Sequence, residues 1–288
     1  MLFNNRITKF LTLFILLCIS CYILYFYKRN VSRIELFTER EIPKIIWSYW
    51  DSDKPDPVVE TCMRSWAKHN PDYKIIIIDK STIQKYCDAD VLSFKHADSP
   101  ARISDFIRLI VLKKNGGVWI DASILCTEPL KDILPTGSFD FFGYNIPNFT
   151  TLPQFPVIES WFLVAPANSP FMSDWCDEFL SINSYPSIND YLTHVKDQGI
   201  DLQNIAIPEY LTIHIAVQKI LQTKTYNIIT LDANLGPYKY LANNDWDSEK
   251  ALTSLCGDSA FVTPLIKFRG DERKMITEKP ELICAVNH

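Results

Sequence analysis

The stretch ARISDFIRLIVLKKNGGVWIDAS, residues 101–123, decides the fold. Ile103, Phe106, Ile107, Ile110 and Val111 recur at i, i+3, i+4, i+7 and i+8, the stripe of a helix that buries one face. Ser99 offers an N-cap with Pro100 at the first helical position, and Asn115-Gly116-Gly117 supplies the stop. Val118-Trp119-Ile120 then reads as a short buried strand, with Asp121 where it runs out. Asp105 and Arg108, three apart, share a face roughly opposite the apolar stripe and can pair. A carboxylate at the C-terminal end of a strand, beside two glycines that let backbone come close, suits a cation or a polyhydroxy ligand. The plain alternatives are a solvated ion pair on a helix surface and an aspartate that only makes a turn.

Working outward, residues 44–50 read as a first strand, 58–69 as a helix, and 73–78 as a second, unbroken apolar strand. A short helix follows from Ser81 or Thr82. Alternating strands and helices imply a doubly wound, mainly parallel α/β sheet that binds ligands beyond the strands' C-terminal ends. Trp50, Asp79 and Asp121 would all stand at that edge. Beyond Leu130 the pattern is mixed: strands at 139–144, 157–165, 226–231 and 259–268, and helices at 169–181, 188–195 and 204–221.

The 288 residues, 47% of them hydrophobic, suffice for a sizeable core. A net charge of −5 without any basic run argues against a nucleic-acid partner. FLTLFILLCISCYILYFY, residues 10–27, is uncharged and spans about 27 Å as a helix, close to a bilayer's hydrocarbon core. It is expected to be a transmembrane anchor rather than a cleaved signal, following a short tail (1–9) and followed by a charged stem (28–41). The globular domain then runs over 42–288. Lys28, Arg29 and Arg33 behind the span outweigh Arg6 and Lys9 before it, which leans toward a cytoplasmic domain. Cys62, Cys87, Cys126, Cys176, Cys256 and Cys284 show no zinc spacing; they permit disulfides or buried thiols equally. Asn148-Phe149-Thr150 is a glycosylation sequon if the domain is lumenal.

Ser104-Asp105-x-x-Arg108 followed by Gly116-Gly117-Val118-Trp119-Ile120-Asp121-x-Ser123 resembles the signature of DXD-type sugar transferases. These are the capsular polysaccharide synthesis family and glycosyltransferase family 32, with its yeast-type initiating mannosyltransferases and clostridial-toxin glucosyltransferase domains. Ile42-Pro43-Lys44-Ile45-Ile46 through Trp50, Ser65-Trp66 and Asn70-Pro71-Asp72-Tyr73 extend the likeness over residues 42–130. The resemblance implies a GT-A-like nucleotide-sugar-binding fold and transfer of a hexose or pentose from a nucleotide-diphosphate sugar to a glycan, glycolipid or glycoprotein. It implies Mn²⁺ or Mg²⁺ as cofactor, held at Asp121 and Ser123, and retention of anomeric configuration. It also implies a lumenal domain on a Golgi or secretory membrane in a eukaryote, so the side of the membrane stays open.

Residue by residue, the resemblance makes Asp105, Arg108 and Asp121 catalytic, with Asp105 and Arg108 on the donor sugar. Trp50, flanked by Tyr49 and more distantly by Trp47, would stack on the nucleotide base, and Lys267 in Pro264-Leu265-Ile266-Lys267-Phe268 would reach the diphosphate. Ser123 departs from the two-aspartate form: a neutral hydroxyl is the weaker ligand for a hard cation. The capsular branch also places Ser or Thr there. From residue chemistry alone, Trp50 could be a core aromatic and Lys267 a snorkelling edge-strand residue. Tyr210 and His214 could face the acceptor or be buried, and Glu159 is the carboxylate an inverting enzyme would use as base. Two other readings stand beside the transferase. One is a non-catalytic sugar-binding or scaffold protein of the same fold; the other is a glycoside hydrolase, which would need two carboxyls flanking one bond.

Overall fold

The computed structural model describes Ser20, Tyr22, residues 41–52 and residues 54–287. The chain divides into two units, Met1–Arg40 and Glu41–His288. Of the expected anchor at 10–27 only Ser20 and Tyr22, both helical, are described; the rest of it, the tail and nearly all of the stem lie outside the described residues. Among the described residues no helix is long and apolar enough to cross a membrane.

In the second unit, strands β1 (Ile45–Tyr49), β2 (Lys74–Ile78), β3 (Gly117–Ile120), β5 (Phe141–Asn145), β6 (Ile158–Ala165) and β7 (Ile228–Asp232) form one sheet in the order β2-β1-β3-β6-β5-β7. The β1–β2, β1–β3 and β5–β7 pairs are parallel, and β3–β6 and β5–β6 antiparallel. The sheet is therefore mixed and mainly parallel. Doubly wound alternation holds through β3 and then stops, because β6 returns from β5 without the crossover helix a parallel neighbour needs. A second, two-stranded sheet pairs β4 (Ile124–Cys126) with β8 (Leu265–Lys267) antiparallel.

Successive strand residues point to opposite faces, and two cores result. Trp47, Trp119, Leu163 and Phe141 face one core, which takes in α3 (Pro100–Asn115), α4 (Pro170–Leu180), α5 (Ile188–Asp197) and α6 (Thr212–Thr223). Ile46, Val118, Ile120, Phe162 and Phe142 face the other, with α1 (Pro57–His69), β4, β8, α7 (Lys239–Ala242), α8 (Ser248–Gly257) and α9 (Gly270–Glu278). A single turn, α2 (Ile83–Tyr86), follows β2.

Two expected elements are corrected. The helix expected from Asn204 starts at Thr212, because Arg102 Nη2 binds the Glu209 carbonyl at 2.7 Å and Ile207 turns into positive φ (50°). The strand expected over 259–268 is only Leu265–Lys267; a 3-10 turn at Ser259–Phe261 and then Pro264 precede it. The helices α7, α8 and α9 carry too weak a period to be read beforehand.

Candidate active site

The helix α3 begins as its sequence requires: the Ser99 side chain accepts from the Arg102 backbone N–H and Pro100 fills the first turn. It ends in Gly116 and Gly117, at φ 65° and 99°, so that the chain passes straight into β3. A Cβ on Gly116 would lie 2.5 Å from the Ala167 nitrogen, and one on Gly117 2.8 Å from the Ile45 carbonyl oxygen. Only glycine lets the helix end this close to both neighbouring strands.

Every residue from Arg102 to Leu112 is buried. Asp105 and Arg108 therefore do not form the solvated pair that helical spacing alone allows; their face lines an open cavity. Arg108 is 5% exposed and three of its five N–H donors are held inside the protein: Nη1 to the Ser160 carbonyl (2.6 Å), Nε to the Ser104 carbonyl (3.2 Å) and Nη2 to Ser104 Oγ (2.9 Å). The same Nη2 lies 3.3 Å from Asp105 Oδ1 and 3.4 Å from Asp121 Oδ1, so one guanidinium joins both carboxylates.

Asp121 follows the last residue of β3. Its backbone N–H donates to the Trp161 carbonyl on β6 (2.9 Å), and its carbonyl accepts from Ile124 N–H (3.0 Å), closing a tight turn into β4. The β4 strand is fixed in turn by α1. Trp66 Nε1 donates to the Ile124 carbonyl (2.7 Å), Ser65 Oγ accepts from Cys126 N–H (2.9 Å), and Asn70 Oδ1 accepts from Leu130 N–H (2.7 Å). The Ser65-Trp66 and Asn70 matches thus hold the strand that positions Ser123.

Across β4, Ile124 pairs with Lys267, and Phe268 N–H donates to the Ser123 carbonyl (3.0 Å). This ladder brings a lysine 144 residues away onto Ser123: Lys267 Nζ donates to Asp121 Oδ2 at 2.8 Å and to Ser123 Oγ at 2.9 Å. Trp119 Nε1 donates to Asp121 Oδ1 (2.9 Å). Burial pushes the Asp121 carboxyl up, but Lys267, Arg108 and the Trp119 N–H together hold it below the usual carboxylate range. Asp105, with less compensation, is raised to about 6, chiefly by burial.

A cavity of about 1040 Å³ collects Tyr49, Trp50, Asp105, Arg108, Asp121, Ser123 and Lys267, together with Glu159, Tyr210 and His214. Trp47 is a core residue outside it, its Nε1 donating to the Gly116 carbonyl (3.0 Å). Asp79 follows β2 but is spent on its own turn, accepting from Ser81 and Thr82. Tyr49 donates from its hydroxyl to Asp51 Oδ1 (2.5 Å), and the Arg273 guanidinium sits over the Trp50 ring at 5.4 Å. His214 Nδ1 meets the Ile158 carbonyl at 2.6 Å; a carbonyl only accepts, so Nδ1 carries the proton. Burial lowers that imidazole to about 4 and raises the Glu159 carboxyl to about 8.

The cavity also holds residues that the sequence alone does not single out: Trp161, Tyr238 and Trp246 as a run of aromatics in contact, and Arg269 and Arg273 at the start of α9. Their closeness in sequence to Lys267 is the one signal that could have marked the arginines.

A divalent cation at Asp121 and Ser123 does not fit these residues. The donor set is one carboxylate and one hydroxyl, and both already receive hydrogen bonds from the Lys267 ammonium. Among the described residues no group of three or more His, Cys, Asp or Glu could hold a metal ion. In this structure the cation at these oxygens is the Lys267 ammonium.

The profile of a family described as capsular polysaccharide synthesis protein matches residues 26–236. O-glycosyltransferase braB of Annulohypoxylon truncatum is 23% identical over 157 residues, 47% of this chain and 37% of that protein, so the chain spans little more than a third of it. Among solved structures, PaToxG glycosyltransferase aligns over 72% of this chain and 96% of its own at 15% identity and TM-score 0.36. The glycosyltransferase GlyE of Streptococcus pneumoniae TIGR4 aligns over 86% and 63% at 13% identity and TM-score 0.43. LgtC, a galactosyltransferase solved with donor and acceptor sugar analogues, aligns over 84% and 95% at 10% identity and TM-score 0.42.

Proposed function

The chain belongs to the capsular polysaccharide synthesis protein family, and from that premise we propose that it is a glycosyltransferase of GT-A-like fold. Its donor is a nucleotide-diphosphate sugar and its acceptor a hydroxyl of a glycan, glycolipid or glycoprotein. The observation that carries the reading is the convergence of Trp50, Asp105, Arg108, Asp121, Ser123 and Lys267 in one cavity, from segments up to 217 positions apart in the chain.

The roles follow from the chemistry. Trp50 offers an aromatic face to the base, with Arg273 already over the ring. Asp105 and the Arg108 fork bind sugar hydroxyls. When the bond from sugar C1 to the diphosphate oxygen breaks, its electron pair stays on that oxygen, and cationic donors held in place stabilise the charge. The acceptor oxygen bonds to C1, and its proton passes to the departing phosphate oxygen. Glu159, whose carboxyl is raised to about 8 chiefly by burial, is the side chain an inverting mechanism would use as base.

We further propose that residues 10–27 anchor the enzyme in a membrane, with the catalytic unit on the oxidising side. The Cys256–Cys284 disulfide supports that side. One observation favours a sugar-binding protein without turnover instead: each oxygen of Asp121 already has a cationic partner.

The test is a screen of UDP- and GDP-sugars with the full-length chain, with and without glycan acceptors, following nucleotide release. Release from one donor, raised by an acceptor, is the expected result. Nucleotide-sugar binding without release, from folded protein, would favour the non-catalytic reading.

A further inference from the structure

We infer that the ammonium of Lys267 does the work of the divalent cation in this site, so that the transferase acts without a metal ion. The inference rests on the glycosyltransferase reading for its substrate, but its geometry stands alone. Lys267 Nζ bonds Asp121 Oδ2 at 2.8 Å and Ser123 Oγ at 2.9 Å, the very oxygens that would ligate a cation.

The ammonium is built in. Lys267 is 8% exposed, and its backbone is fixed on both sides: its N–H donates to the Pro237 carbonyl (3.1 Å) and its carbonyl accepts from the Tyr240 hydroxyl (2.8 Å). The antiparallel ladder to β4 sets Lys267 opposite Ile124, next to Ser123, and its ammonium reaches the Ser123 hydroxyl from there. A flexible surface lysine would leave to admit a metal at small cost. This one would have to abandon two hydrogen bonds and leave its charge buried.

The charges agree. Two aspartates with a divalent cation sum to zero; so do one aspartate, one neutral serine and one ammonium. The serine at the second motif position and the lysine opposite it are therefore one arrangement rather than a defect and a coincidence. Arg108 Nη2, 3.4 Å from the other oxygen of Asp121, puts a second positive charge beside the same carboxylate, and a divalent ion there would face both at close range. Asp121 is then no metal ligand but the counter-ion that orients Lys267. The ammonium's remaining donor capacity, with Arg108, meets the oxygen that leaves with the electron pair.

Two measurements test this. Mn²⁺ is titrated by electron paramagnetic resonance into the full-length chain, alone and with UDP or GDP, beside Asp121→Asn. The expected result is the same free-ion signal in both proteins; ion bound by the wild type and lost in Asp121→Asn would overturn the inference, whether or not a donor is known. With the donor found by the screen, turnover in EDTA is expected to stay within about twofold of turnover in Mn²⁺, and Lys267→Met to lower kcat roughly 10²–10³-fold. Activity lost in EDTA and restored by Mn²⁺ would sink the inference, as would full activity of folded Lys267→Met. If no donor turns over, the transferase reading fails, and the Mn²⁺ titration still decides the role of Lys267.

Discussion

At the scale of single residues, the site depends on pairings that cannot be broken one side at a time. Arg108 makes three hydrogen bonds and faces two carboxylates with one planar fork, which a lysine's point charge cannot reproduce. Arg108→Lys should therefore destabilise the fold by about 2–4 kcal/mol in urea unfolding, as removal of a buried partner does. A stability unchanged in that variant would contradict the buried network. Glu159 gives a prediction in pH. Its carboxyl is raised to about 8, mainly by burial, so the folded state keeps a proton that the unfolded chain has already lost. That contribution is greatest below the unfolded pKa and is lost as pH rises toward 8. Glu159→Gln removes this slope: its stability relative to wild type should rise by roughly 2–4 kcal/mol between about pH 5 and about pH 8. His214, lowered to about 4, slopes the opposite way, but it is common to both proteins and cancels in the difference.

At the scale of elements, two connections set the site: the Gly116-Gly117 turn from α3 into β3, and the β4–β8 ladder. Gly116→Ala would force a Cβ against the Ala167 nitrogen, at 2.5 Å, in a backbone of positive φ. It should cost about 2 kcal/mol or more, and equal melting temperatures would mean the turn is looser than described. The Cys256–Cys284 bridge ties α8 to the C-terminal turn across 28 residues. Cys284→Ser should lower stability by about 3 kcal/mol under oxidising conditions and by little under reducing ones. The first connection was legible in the sequence, because cap, apolar stripe and glycine pair lie in one continuous frame. So was the edge where Trp50 and Asp121 stand, since adjacent parallel strands bring their C-terminal ends together. The partner of Ser123 was not: a three-residue strand after Pro264 has no period, and only long-range pairing gives it direction. Helical spacing likewise set Asp105 and Arg108 on a polar face without saying that α3 is covered on every side. The cavity's own aromatics were hidden because Trp161, Tyr238 and Trp246 come from three separate segments.

At the scale of the whole molecule, the sheet is the frame and the second half of the chain completes the site. The parallel strands β1 and β3 deliver Trp50 and Asp121 to one edge. The antiparallel β6 passes beyond the end of β3 and lays Glu159, Ser160 and Trp161 beside them. The segment after Leu265 then returns with Lys267, Arg269 and Arg273. The unit needs its last 24 residues, so a chain ending before Leu265 should lack the cationic wall and bind no nucleotide, as calorimetry with UDP or GDP would show. The most direct check on the central claim compares nucleotide release from the donor found in the screen by the wild-type chain and by Asp121→Asn, both first shown to be folded. A fall of roughly 10²–10³-fold in the variant is the result expected if this cavity performs glycosyl transfer. Equal release by the two proteins would place the chemistry elsewhere.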